Sequence, residues 1–187
     1  FDAPRASVNF IWGSSGAGKS VLLQSLNKIK RNKNFKYGGS VSMHDKDKIG
    51  TLSTIKSNLP LIDYFAKKWG MHKSLSALNI SGLSEATLYL KSYSMLSAGQ
   101  KYRASIAQLI LQKKSIWLID EFCGGLDSIT AKVIAVNIRK MIKKYNLIGF
   151  FANANYHHFI DALNPDSIIV LKSGHDARTL NTRAFKN

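Results

Sequence analysis

Cysteine occurs once in 187 residues, at Cys123, which excludes an internal disulfide and a cysteine-based metal cluster. That scarcity agrees with a reducing, cytoplasmic setting. Cys123 follows two carboxylates in a loop and reads as a buried structural thiol. No apolar run approaches the roughly 18–20 residues a membrane helix needs, and no basic-then-apolar leader opens the chain. Its first residue is Phe1 and not Met, which suggests an excised domain or a processed product. Acidic residues are scarce: 11 stand against 27 basic ones, for a net charge of +16. Such an excess attracts polyanions and makes nucleic acid a candidate partner. Against this, Lys28, Lys30, Arg31, Lys33 and Lys36 are dispersed, without the aromatic interleaving of a base-stacking surface. With 45% hydrophobic and 20% charged residues, the chain reads as one globular domain over residues 1–187.

What is present is an alternation of short apolar runs and helical periodicity. Val8–Trp12 reads as a buried strand entering a glycine loop, and Ser20–Ile29 as a helix with Val21, Leu22, Leu23, Leu26 and Ile29 at helical spacing. Residues 30–40 read as a polar surface connection ending in Gly38-Gly39, with strand candidates at Ser40–Met43 and Ile49–Leu52. Pro60 suits the first turn of a helix through Trp69, which Gly70 ends. Short helices with serine-rich breaks fill residues 71–95, and a longer helix spans Ser97–Gln112. Ser115–Ile119 is an apolar strand, and Ser128 is the expected N-cap of a helix to Tyr145. Then come strand Leu147–Ala152, a helical stretch at Phe159–Leu163, strand Ser167–Leu171 and a polar tail. Continuous apolar strands alternating with helices predict a three-layer α/β fold: a mainly parallel sheet with helices on both faces and a small inserted helical subdomain at roughly 52–95.

The segment Gly13–Ser20 reads GSSGAGKS and fits G-x-x-x-x-G-K-[ST] at every fixed position, between a strand and a helix. Glycines let successive backbone N–H groups turn toward phosphate oxygens, and the helix N-terminus adds its positive dipole end. The candidate nucleotide contacts are therefore Gly13, Ser14, Ser15, Gly16, Ala17, Gly18, Lys19, Ser20 and Val21. Lys19 would reach the β- and γ-phosphates of ATP, and the Ser20 hydroxyl would ligand Mg²⁺.

A second site lies after the strand Ser115–Ile119, which delivers Asp120 and Glu121 at its C-terminal end, the edge where parallel α/β sheets bind ligands. Asp120 is the expected Mg²⁺ holder. Glu121, with Lys19, is the expected catalytic residue, Glu121 polarising the attacking water as general base.

Leu96-Ser97-Ala98-Gly99-Gln100 lies shortly before that strand. It resembles the LSGGQ signature of the ABC ATPases, with alanine for the first glycine, and Gly125-Leu126-Asp127 resembles that family's D-loop. The order of phosphate loop, signature, acidic strand and D-loop is similar to the family over nearly the whole chain. The resemblance implies a P-loop NTPase fold and a head-to-tail dimer with a second copy of the chain. ATP is then held between one copy's phosphate loop and the other's Ser97, Gly99 and Gln100, while Asp127 links the two sites.

Departures from the family pattern accompany the resemblance. The glutamine usual between the phosphate loop and the helical subdomain is missing: the only glutamines are Gln24, Gln100, Gln108 and Gln112, and Ser53 or Thr54 takes the rough position. The usual switch histidine falls at Ala154 or Tyr156, with His157 or His158 as substitutes. No upstream aromatic for the adenine ring can be placed before Val8. Phe122 stands where the family commonly has proline. With the run Phe159–Pro165, this looks more like the soluble non-transporter members of prokaryotes and their viruses, including those fused to an acetyltransferase-like domain. The leading expectation is thus a non-transporter ATPase domain. The alternatives are the nucleotide-binding subunit of a membrane transporter, a nucleic-acid-associated ATPase and an ATP sensor with little turnover.

Overall fold

The computed structural model describes residues 2–29, 43–44, 46–172 and 177–182; the strand candidate Ser40–Met43 and the connection at 30–40 fall outside them, apart from Met43. β1 (Ser7–Trp12), rich in aromatic and β-branched residues, is buried from Ser7 to Ile11. It pairs in parallel with β4 (Ile148–Ala152) on one side and β5 (Ser167–Leu171) on the other. β2 (Ile49–Thr51) and β3 (Ile116–Ile119) extend the sheet beyond β4, giving the order β2-β3-β4-β1-β5-β6. The polar tail expected after Leu171 instead forms β6 (Ala177–Asn181), antiparallel to β5. All five of its residues are exposed, so it pairs through backbone alone and no apolar alternation announces it.

Each face of the sheet carries its own apolar layer. α1 (Lys19–Ile29) covers one face, where Leu23 packs with Ile11, Leu118 and Ile169. α6 (Ser128–Lys144) covers the other, burying Ile134 and Ile138 against Val8, Phe10 and Trp117. Between β2 and β3 the chain forms α2 (Leu61–Trp69), α3 (Met71–Ile80), α4 (Ala86–Tyr89), a 3₁₀ turn at Tyr93–Met95 and α5 (Ala98–Leu111). These helices share a third cluster that includes Leu61, Phe65, Leu78, Leu96 and Ala104. The result is the mostly parallel three-layer α/β arrangement expected, with helices inserted before the signature. α7 (Ile160–Leu163) leads into β5.

The ends of these elements are set by their side chains. Gly70, at φ 83°, ends α2 and lets α3 start at the next residue. α6 departs from expectation: Asp127, not Ser128, is its N-cap, accepting the Thr130 amide at 2.9 Å. A carboxylate one residue earlier meets the N3 amide, and Ser128 becomes the first helical residue. The polar residues inside β1 are satisfied within the sheet: Asn9 Nδ2 donates to Ser7 Oγ and to the Gly149 carbonyl, and Ser167 Oγ donates to Asn9 Oδ1.

Asp166 fastens the lower end of the sheet to α6. It accepts the Val8 amide at 2.8 Å and both carboxylate oxygens accept from Lys143 Nζ. Burial works to raise its pKa, but the hydrogen bonds from Lys143 and Val8 and the positive charges of Lys143 and Arg139 prevail and hold it below the ordinary 3.8. A depressed pKa means its stabilisation is complete at neutral pH and is lost as pH falls through the folded-state value. Asp166→Asn should therefore lower the unfolding free energy at pH 7 by about 2 kcal/mol in a urea titration. The gap from the parent should close only under acid conditions, below the ordinary aspartate range.

Candidate functional site

The loop between β1 and α1 is shaped by two kinds of glycine. At Gly13 a Cβ would stand 2.6 Å from the Leu171 carbonyl oxygen and 3.0 Å from Ala17 Cβ, so the close approach of β5 admits only glycine. Gly16 and Gly18 have φ of 80° and 92°, the left-handed region that side chains disfavour, and a Cβ at either would meet nothing within 4 Å. The concave turn is thus set by backbone conformation and keeps open space beside it. Ala17 donates to the Ser14 carbonyl at 3.2 Å, and Leu22 to that of Gly18 at 2.9 Å, starting α1. Lys19 folds back over the loop, its Nζ donating to the carbonyls of Gly13 at 2.7 Å and Ser14 at 2.8 Å. Ser14, Ser15, Gly16, Ser20 and Val21 are exposed around it, with Ala17 half-buried.

Asp120 and Glu121 come directly after β3, and only β4 separates β3 from β1. All three strands run the same way, so both carboxylates leave the sheet at the edge where the glycine loop lies, about 10 Å across at ordinary strand spacing. Both are exposed, and Asp120 Oδ1 accepts the Glu121 amide at 3.0 Å. Glu121 has φ 49°, a left-handed conformation for a non-glycine residue. Its neighbour Phe122 holds it there. Phe122 is fully buried, its ring 4.7 Å from that of Phe151 and 5.3 Å from that of Phe159, and its amide donates to the Ala152 carbonyl at 2.9 Å. The phenylalanine in the usual place of proline is therefore an apolar peg that seats the acid pair.

Two residues that no sequence motif singles out complete this seat. Asn153, just after β4, donates from Nδ2 to the Phe122 carbonyl at 2.7 Å, donates its amide to Ile11 and accepts the Asn155 amide. An Asn-x-Asn sequence after a strand is an Asx-turn pattern, the signal that could have found it. Tyr102 on α5 is the other: its phenol oxygen accepts the Cys123 amide at 2.8 Å. Burial pushes the Tyr102 phenol up, and the nearby Cys123 adds to this.

Ser97 is the N-cap of α5, with Gln100 closing a capping box: the Ser97 amide donates to Gln100 Oε1 at 2.9 Å, and the Gln100 amide to Ser97 Oγ at 3.3 Å. Arg103 donates to the carbonyls of Gly99 and Gly82 and so ties this first turn to the end of α3. A Cβ at Gly99 would lie 3.2 Å from Leu126 Cδ2, which places the Gly125-Leu126-Asp127 loop against the signature. The structure thus brings residues 13–21, Asp120 and Glu121 to one sheet edge. Ser97, Gly99 and Gln100 form the cap and first turn of α5, and among the described residues no hydrogen bond joins them to residues 13–21. Near the switch position, Tyr156 packs edge-on against Phe10 and Trp12 with ring centroids 5.9 and 5.6 Å away, whereas Ala154, His157 and His158 are exposed.

Residues 1–124 match the family model described as ABC transporter. The chain belongs to the ABC transporter family. It is the ATP-binding cassette of that family, and so an ATP hydrolase. Among similar proteins, the cytochrome c biogenesis ATP-binding export protein CcmA of Gluconobacter oxydans (strain 621H) is 31% identical over 118 residues, covering 62% of this chain and 53% of that protein. The microcin-J25 export ATP-binding/permease protein McjD of Escherichia coli is 28% identical over 187 residues, covering 87% of this chain. The cassette spans 30% of the length of McjD. The dimeric structure of a bacterial ABC transporter cassette superposes with a TM-score of 0.74 at 22% identity, over 97% of this chain and 88% of that one. At that identity the likeness shows the fold alone.

Cys123 is buried beneath the acid pair, its Sγ 3.7 Å from the Ala131 carbonyl, and burial pushes its thiol far up. In the native cassette it should resist a thiol reagent such as dithiobis-nitrobenzoate at pH 8, and one equivalent should react on adding denaturant. Rapid reaction of the native protein would contradict this placement.

Proposed function

We propose that two copies of this cassette close head to tail on two ATP molecules and hydrolyse them in the presence of Mg²⁺. The observation that carries this reading is the shared sheet edge, with an open glycine loop under Lys19 beside the exposed Asp120–Glu121 pair. Amides of residues 13–21 cradle the phosphates, and Lys19 exchanges the carbonyls of Gly13 and Ser14 for phosphate oxygens. Ser20 and Asp120 are hard oxygen donors, the chemistry Mg²⁺ prefers, and would hold it with the phosphates. When bound, Mg²⁺ neutralises charge on the phosphate oxygens. Glu121, presented by its left-handed backbone, orients and polarises the attacking water. Ser97, Gly99 and Gln100 make no hydrogen bond to residues 13–21 among the described residues, and the family resemblance gives them their role at the second copy's site. There the N-terminus of α5, capped by Ser97 and Gln100, faces the partner's γ-phosphate, and Asp127 lies between the two sites. Residues 52–95, approximately, form the helical subdomain that leads into the signature.

A second reading concerns what the cycle drives. The names of the relatives describe export, import and permease proteins, and they lend the non-transporter, acetyltransferase-fused and nucleic-acid readings no support. Leu59 is 45% exposed, Leu90 74% and Met95 67%, and the Leu61 amide bonded to the Lys91 carbonyl brings the first two segments together. An exposed apolar edge beside the β2 exit loop suits docking to a membrane partner at the cytoplasmic surface.

Lys19→Ala should abolish the calorimetric signal of Mg-ATP binding without loss of fold. Glu121→Gln should retain binding, lose turnover and sediment as a dimer with ATP. A Glu121→Gln protein that hydrolyses at the parent rate would remove Glu121 from the base role.

A further inference from the structure

The β2 exit loop has no glutamine of its own, yet the structure brings one to it from another element. Gln108, three turns into α5, is 6% exposed. Its Nε2 donates to Ser53 Oγ at 2.6 Å, and its Oε1 accepts the Tyr64 hydroxyl at 3.0 Å. One buried amide therefore joins three segments: the loop leaving β2 at the ligand-binding edge, α2, and the helix whose N-terminus is the signature.

Each end of this link is built to hold. A primary amide offers one strong acceptor and a pair of donors, and here the acceptor meets a phenol while a donor meets a hydroxyl. Tyr64 is fixed by rings on its own helix, edge-on to Phe65 at 5.3 Å and to Trp69 at 6.3 Å. Burial pushes the Tyr64 phenol up, so it stays a donor throughout the neutral range. Ser53 is exposed, and its oxygen already accepts from Gln108. From Gln108 to the Ser97 cap is eleven residues, about 16 Å of straight helix at the usual rise. A displacement of the β2 exit loop is passed to a rigid rod whose far end presents the signature.

We infer that Gln108 is a positioning residue that fastens the β2 exit loop to the signature helix, so that a change at Ser53 in one copy's ATP edge alters the signature offered to the partner's ATP. This rests on the two-copy sandwich proposed above. Gln108 is buried, and the bonds of its amide run to Ser53 and Tyr64.

The test uses the intact protein carrying Gln108→Met, which keeps the length and volume of the side chain without its hydrogen bonds, and Ser53→Ala. Three quantities are measured for each and for the double variant: Mg-ATP affinity by calorimetry, kcat and KM of hydrolysis, and the ATP-dependent monomer–dimer constant in a Glu121→Gln background. ATP affinity and KM should stay at parent values, while kcat falls and dimerisation weakens by about tenfold. The double variant should be no worse than the worse single one, because both changes break one interaction. Parent-like kcat and dimerisation in Gln108→Met would overturn the inference, and so would additive effects of the two changes. If Gln108→Met fails to fold, Ser53→Ala and Tyr64→Phe, which keep the packing, carry the test: unchanged kcat in both overturns it. The sandwich is judged separately by the Glu121→Gln parent. Its failure to pair with ATP removes the premise, whereas pairing with unaffected variants removes only the role of Gln108.

Discussion

Gly13 lies against the β5 backbone so closely that any side chain would collide with the Leu171 carbonyl oxygen, 2.6 Å from a Cβ. That contact fixes where β1 yields to the phosphate loop, and the rest of the cassette is arranged around the fixed point. β1 is held on both sides by parallel neighbours, and its own polar side chains are consumed inside the sheet. The loop consequently starts from rigid strand, the conformations of Gly16 and Gly18 turn its backbone, and Lys19 ties the carbonyls of Gly13 and Ser14 together. Preorganisation of this kind means that phosphate binding need not bear the ordering cost of the loop, on the order of 1–2 kcal/mol per backbone residue.

The acid pair is secured differently. Its strand ends at Ile119, and the left-handed turn at Glu121 is a conformation costing roughly 1–3 kcal/mol. The burial of Phe122 among Phe151 and Phe159 offsets that cost, since a fully buried aromatic side chain contributes about 1.5–3 kcal/mol. Asn153 and Tyr102 then hold the C=O and the N–H of the one peptide group that joins Phe122 to Cys123. Tyr102 also joins the acid loop to α5, as Gln108 joins α5 to the β2 exit loop. The signature helix is thus bonded to the loops that leave β2 and β3.

Much of this was legible in the sequence. The strands Val8–Trp12, Ser115–Ile119, Leu147–Ala152 and Ser167–Leu171 were readable because parallel strands buried on both faces are continuous apolar runs, and each is within a residue or so of the observed element. The segments Gly13–Ser20 and Leu96–Gln100 stood out because fixed residue types recur there at short spacing, and they lie at the starts of α1 and α5. β6 was not, since an exposed edge strand paired only through backbone has no apolar pattern. The α6 cap was misplaced by one residue because Asp127 and Ser128 both satisfy the local rule, and only the Thr130 amide chooses between them. Asn153, Tyr102 and the Ser53–Gln108–Tyr64 link act through contacts between residues 21 to 55 positions apart, which spacing in one sequence does not encode.

Turnover, as proposed, depends on the phosphate loop of one chain meeting the signature of another. Chains carrying Ser15→Cys can be mixed with chains carrying Ser97→Cys and oxidised with and without Mg-ATP, the native Cys123 being buried and inert. A covalent mixed dimer should form with ATP and not without it. Cross-linking indifferent to nucleotide, or none at all while ATP is bound, would contradict the head-to-tail pairing.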